Sequence, residues 1–82
     1  MRVRVLYFAA VRDLAGCEEE ALELPAEVRD VGGFAHWLER ARPELAGRLG
    51  SVRVARNEAF ASPKEPLAEG DTLALIPPVA GG

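Results

Sequence analysis

The chain has 82 residues, 49% of them hydrophobic and 28% charged, with a formal net charge of −3. That is enough chain for one small domain, and it is too apolar for intrinsic disorder, which needs low hydrophobicity with high net charge. One His (His36), one Cys (Cys17), two Ser, one Thr and one Lys (Lys64) leave little chemistry to work with. A zinc centre takes four Cys, His or carboxylate ligands, and a hydrolase centre sets a base beside a nucleophile. The composition argues against both, so no metal site is expected and function is expected to run through a partner protein. Net acidity argues against bulk attraction to nucleic acid, and no apolar run approaches the roughly 20 residues of a membrane span. The start of the chain alternates like a strand and lacks the apolar core of a signal peptide. A single Cys excludes an internal disulfide framework, and the expected compartment is the reducing cytoplasm.

Residues 2 to 8 alternate, with Val3, Val5 and Tyr7 against Arg2, Arg4, Leu6 and Phe8, and read as a first strand. Residues 9 to 15 have helical propensity, and Gly16 supplies a C-terminal stop. Residues 21 to 24 alternate again until Pro25, and this second strand is expected to pair antiparallel with the first. A helix follows between residues 28 and 42. Val31, Phe34, Ala35 and Leu38 make one apolar stripe, and Asp30 can cap the start. Gly32-Gly33 costs about 1 kcal/mol per Gly there relative to Ala, which leaves the start of the helix open. His36 and Trp37 read as partly buried packing residues. Pro43 forces a break, and residues 43 to 50 read as a short helical turn.

Residues 52 to 56 form a third strand, and Asn57 suits a turn with positive φ. A brief fourth strand is expected at residues 58 to 61, stopped by Ser62-Pro63. Glu69-Gly70-Asp71 marks a tight turn before a fifth strand at residues 72 to 76. Pro77-Pro78 closes it, since neither proline can donate a ladder hydrogen bond. The order ββαβ(β)β is α+β, a mixed sheet of about five strands packed on one main helix, and it reads as a β-grasp domain over residues 1–76 with an extended tail over 77–82.

Pro77-Pro78-Val79-Ala80-Gly81-Gly82 begins stiff and ends without side chains. Pro-Pro favours an extended polyproline geometry, and Gly81-Gly82 lets the backbone enter a channel too narrow for a Cβ. The carboxylate of Gly82 is then the one functional group delivered; a frayed terminus without a role is the alternative. Strand parity leaves Leu6, Phe8 and Ile76 on the sheet face away from the helix, joined by Phe60. Such a patch either marks a binding surface or closes the core from the far side. Cys17, with nothing basic next to it, reads as an inert loop residue. Glu18-Glu19-Glu20 reads as a solvated loop, and Lys64 as an exposed loop residue that nothing singles out.

Four blocks, in matching order and spanning nearly the whole chain, carry a resemblance. They are Leu6-Tyr7-Phe8-Ala9-Ala10-Val11-Arg12-Asp13-Leu14-Ala15-Gly16, Val54-Ala55-Arg56-Asn57, Leu67-Ala68-Glu69-Gly70-Asp71 and Leu75-Ile76-Pro77-Pro78-Val79-Ala80-Gly81-Gly82. With them the chain resembles the small subunit of molybdopterin synthase, a sulfur carrier of the ubiquitin-like β-grasp group. The Gly32-Gly33 pair departs from that family's usual helix. The resemblance implies that an E1-like adenylating enzyme activates the Gly82 carboxylate with ATP and Mg²⁺. Sulfur from a persulfide donor displaces AMP to leave a thiocarboxylate, and the large subunit of the synthase then passes the sulfur to cyclic pyranopterin monophosphate. It implies that this chain alone binds no cofactor and is a sulfur-donor subunit whose active site lies mainly on the large subunit. Phe8, Arg12, Phe60 and Ile76, with Pro77, Pro78, Val79 and Ala80, would contact partners, and Gly81 with Gly82 would carry the chemistry. A carrier for another product, such as thiazole or thiolated tRNA, and a ubiquitin-like protein modifier are the other readings.

Overall fold

The computed structural model describes residues 1–78, so the expectations placed on Val79, Ala80, Gly81 and Gly82 lie outside the described residues. Strand β1 (Arg2–Tyr7) buries Val3, Val5 and Tyr7 and leaves Arg2 and Arg4 exposed, as its alternation requires. Helix α1 (Ala9–Ala15) ends where Gly16 takes φ 80° and donates its N–H to the Arg12 carbonyl at 2.9 Å. Strand β2 (Glu19–Glu23) pairs antiparallel with β1, from Arg2 opposite Glu23 to Leu6 opposite Glu19. It starts two residues before the expected strand and stops before Leu24, because the length of β1 recruits Glu19 and Glu20 into the ladder. Glu20 gains from this. It accepts the Tyr7 hydroxyl at 2.5 Å and an N–H of Arg42, so one carboxylate ties β1, β2 and the end of the main helix together. Burial, then the hydrogen bond to Glu20 and its charge, pushes the Tyr7 phenol well above its ordinary range.

Helix α2 (Val31–Ala41) is capped by Asp30, whose Oδ1 accepts the Gly33 N–H at 2.7 Å. Val31, Phe34 and Leu38 are buried. His36 is exposed, contrary to expectation, because it lies about 200° around the helix from Phe34; Trp37 is half-buried. The Gly pair has a packing reason. Gly32 donates its N–H to the Pro63 carbonyl at 2.8 Å, and a Cβ there would sit 3.2 Å from both that oxygen and the Pro63 Cβ. The loop before β5 can therefore lie directly on the start of α2. A 3₁₀ turn (Pro43–Leu45) follows, with Leu45 fully buried.

Strands β3 (Arg53–Arg56) and β4 (Ala59–Phe60) form a hairpin whose two turn residues both have positive φ, Asn57 at 50° and Glu58 at 73°. This is the mirror-image two-residue turn that matches strand twist, and it takes Glu58 out of the expected fourth strand. Val52 also falls outside its strand, its N–H bonding to the Leu49 carbonyl. Strand β5 (Thr72–Ile76) has the expected bounds. The sheet order is β2-β1-β5-β3-β4, with β5 parallel to β1 and antiparallel to β3. Val3, Val5, Leu73 and Leu75 face Phe34 and Leu38 in one core.

The loop into β5 is pinned by Asp71, a buried carboxylate that accepts Arg56 Nε at 2.7 Å, Asn57 Nδ2 at 2.9 Å and the Ala68 N–H at 2.7 Å. Burial alone raises this carboxyl, but the hydrogen bonds from Arg56, Asn57 and Ala68 outweigh it and hold it below the usual carboxylate range. A depressed carboxyl contributes its stabilisation in full above its unfolded value near about 4 and loses it as pH falls through the folded value. We expect Asp71→Asn to cost about 2 kcal/mol, or roughly 10 °C in Tm, at neutral pH. Thermal denaturation between pH 2 and 7 should show a shallower acid limb for the variant; identical limbs would contradict this assignment.

Candidate functional site

Because β1 and β5 run parallel, their last residues finish at the same end of the sheet. Tyr7 lies opposite Leu75, and the Phe8 N–H donates to the Leu75 carbonyl at 3.3 Å, which sets Phe8 beside Ile76. Ile76 lies opposite Arg53 of β3 and is followed directly by Pro77, half-buried, and Pro78, exposed. One row further into the sheet stand Leu6, Ala74, Ala55 and Phe60, one residue each from β1, β5, β3 and β4. Two small residues between two large ones make a floor with walls. The resulting dent has a volume of about 260 Å³, closed on the tail side by Phe8 and Ile76 and on the far side by Thr72 and Glu58.

Phe8 and Phe60 are 45% and 55% exposed, while Val3, Val5, Leu73 and Leu75 on the face toward α2 are buried. Their rings therefore contribute little to folding and are free to be buried by something else. The chain turns sharply after Phe8, where Ala9 takes φ 49°, a left-handed conformation that a side chain adopts only at some cost. The Arg53 guanidinium lies over the Phe60 ring, 3.7 Å from its centroid, and holds that wall in place. The β1–β2 half of the same face is different in kind. There Arg4 lies 3.5 Å from Glu19 and Arg2 3.9 Å from Glu23, a solvated strip in which the charges neutralise one another.

Of the residues singled out in the sequence, Phe8, Phe60, Ile76 and Pro77 thus meet at one end of the open face. Arg12 does not join them. It is exposed, lies 3.9 Å from a Glu18 carboxylate oxygen, and lines a separate shallow depression with Asp13, Gly16 and Cys17. Cys17 is half-buried there, and Lys64 is exposed on its loop. Sequence reading missed Arg53, Ala55 and Ala74. The available signal was the shared parity of Ala74 with Ile76 and of Ala55 with Arg53, which becomes a floor only once the β3–β5 register is known. It also missed a larger groove of about 440 Å³ between α2 and β3, bordered by Ala35, His36, Val52 and Arg53. Among the described residues no group of three or more His, Cys, Asp or Glu side chains could hold a metal ion, and no helix is long and apolar enough to cross a membrane.

A mixed five-stranded sheet clasping one main helix defines a ubiquitin-like β-grasp protein. It superposes on SAMP1 of Haloferax volcanii with a TM-score of 0.85, at 30% identity and with 100% of both chains covered. The chain belongs to the ThiS family, whose model matches residues 5–82. A molybdopterin synthase sulfur carrier subunit of Mycobacterium tuberculosis is 39% identical over 100% of this chain and 99% of its own length. A complex of subunits 1 and 2 of the molybdopterin-converting factor of Helicobacter pylori contains a chain similar in structure, with a TM-score of 0.71, 25% identity and 100% coverage of both chains.

The division of labour between the two sheet faces can be measured. Phe60→Asp should change folding stability by less than about 0.5 kcal/mol, as for an exposed position, whereas Leu73→Ala, fully buried, should cost about 3 kcal/mol. Urea denaturation of both variants gives the comparison, and a Phe60→Asp loss approaching that of Leu73→Ala would make the open face a second core.

Proposed function

We propose that this chain is the sulfur carrier subunit of a molybdopterin synthase. The observation that carries the reading is the exposed Phe8–Phe60 dent at the root of a Pro77-Pro78 tail, in a chain that matches such a subunit from end to end. In this reading the dent docks the body of the carrier while residues 77–82 reach into the partner. A carboxylate is a poor electrophile, so an E1-like enzyme first joins Gly82 to AMP at the expense of ATP with Mg²⁺, releasing pyrophosphate. The outer sulfur of a persulfide donor displaces AMP to form an acyl disulfide with Gly82. A thiol then cleaves its S–S bond, leaving Gly82 as a thiocarboxylate and the donor sulfur in a new disulfide.

The loaded carrier docks on the large subunit, where the sulfur passes to cyclic pyranopterin monophosphate. Two sulfurs make the dithiolene, so two loaded carriers serve each pterin, and the spent carboxylate returns to the activating enzyme. The chain itself binds no cofactor in this scheme, and the catalytic side chains belong to its cytoplasmic partners. The scarcity of His, Cys and Ser fits that arrangement. Gly81 keeps the last peptide free of side chains as it enters the activating and transfer sites.

Incubation with the activating enzyme, ATP, Mg²⁺ and a sulfur donor, followed by intact-mass measurement, tests the scheme. The wild-type chain should gain the mass of an oxygen-to-sulfur exchange. Removal of Gly82, or Gly81→Trp, should abolish the gain without lowering Tm. A shortened chain that still accepts sulfur would sink the mechanism. The likeness to SAMP1, a small archaeal modifier protein, favours one other reading, in which Gly82 forms amide bonds with amines of other proteins. Covalent adducts on other proteins, in place of sulfur transfer to the pterin, would select it.

A further inference from the structure

The charges around the dent are not settled within the chain. Arg2, Arg4, Arg12, Arg42 and Arg56 each lie within 4.0 Å of a carboxylate oxygen. Arg29, Arg40, Arg48 and Arg53 have no such partner among the described residues, and of these four Arg53 is the one that stands opposite Ile76 at the root of the tail. Its guanidinium is held in a fixed place by the Phe60 ring instead. A guanidinium stacked by one face on an aromatic ring keeps its in-plane N–H donors directed outward, pre-arranged for a carboxylate. On the far side of the same dent stands Glu58, likewise without a basic partner among the described residues. The open face therefore consists of a strip whose charges cancel and an apolar dent that Glu58 lines on its far side, with Arg53 stacked on the Phe60 wall beside it.

We infer that Arg53 receives a carboxylate of the large subunit, on a segment that places an apolar side chain on the Ala55–Ala74 floor and a basic group toward Glu58. This deepens the docking surface proposed above and rests on that reading. Phe60 gives the dent its wall and Arg53 its polarity. The apolar side chain supplies most of the affinity, and the Arg53–carboxylate pair fixes which way the partner segment runs, so that its acidic end lies beside the tail. A partner segment with the charges reversed would set like charges together at both ends of the dent.

The test is binding of the full chain to the large subunit from the same organism, by titration calorimetry at two salt concentrations. Arg53→Gln is expected to weaken binding about tenfold at 20 mM salt and about twofold at 500 mM, since an exposed interfacial pair is screened. Glu58→Gln should show the same trend with a smaller loss. Ala74→Phe, which fills the floor, should weaken binding to the same extent at both salt concentrations. Wild-type affinity for Arg53→Gln at low salt would overturn the inference while leaving the sulfur-carrier reading intact. So would a loss independent of salt, which would mean that Arg53 merely props the Phe60 ring. Failure of the wild-type chain to bind the large subunit at all would remove both.

Discussion

The parallel pairing of β1 with β5 is the constraint from which the rest of the molecule follows. It joins the first strand to the last, so the middle of the sheet is built from the two ends of the chain. Its register places Val3, Val5, Leu73 and Leu75 on one face, where α2 covers them, and Leu6, Phe8, Ala74 and Ile76 on the other. A slip of one residue would exchange these two sets. The same pairing brings the end of β1 beside Ile76 and Pro77, so that the Phe8–Phe60 dent and the last described residues share one edge of the sheet.

Around that pair, two carboxylates act as fasteners in different places. Glu20 joins Tyr7 to Arg42 and so fixes the end of α2 to the β1–β2 side. Asp71 joins Arg56 and Asn57 to the loop before β5 and so fixes the β3–β4 hairpin to the other side. Each ties the sheet to a segment outside its ladder, Arg42 at the end of α2 in one case and the loop before β5 in the other.

The elements that were legible in the sequence are those whose signals are local. α1 with its Gly16 stop, the Asp30 cap, the break at Pro43 and the bounds of β5 each follow from a few adjacent residues. Strand parity was enough to place Leu6, Phe8 and Ile76 on the open face, and Phe60 joins them through its pairing with Ala55. The remainder depended on distant pairing. Glu19 and Glu20 became strand residues because β1 reaches them, Glu58 became a turn residue because the hairpin closes on two residues, and His36 faced out because the buried stripe left it there. The floor of the dent was hidden for the same reason: Ala55 and Ala74 are 19 positions apart and become neighbours only in the β3–β5 ladder. Gly32-Gly33 reads as a flaw in a helix, yet Pro63 rests on Gly32 and the Asp30 cap closes on Gly33.

The outer wall of the dent stands on the shortest strand of the sheet. β4 is joined to β3 by two residue pairs, and it carries Phe60. Short edge segments open and close more readily than the centre of a domain, and a ligand that needs the closed form bears the cost of the open one. In the docking proposed above, the affinity of the dent is thus tied to the rigidity of a two-residue turn. Asn57 governs that rigidity from outside the dent, since its side chain both donates to Asp71 and accepts the Thr72 N–H at 2.9 Å. In that docking, the grip on a partner is adjustable through a residue that does not line the dent.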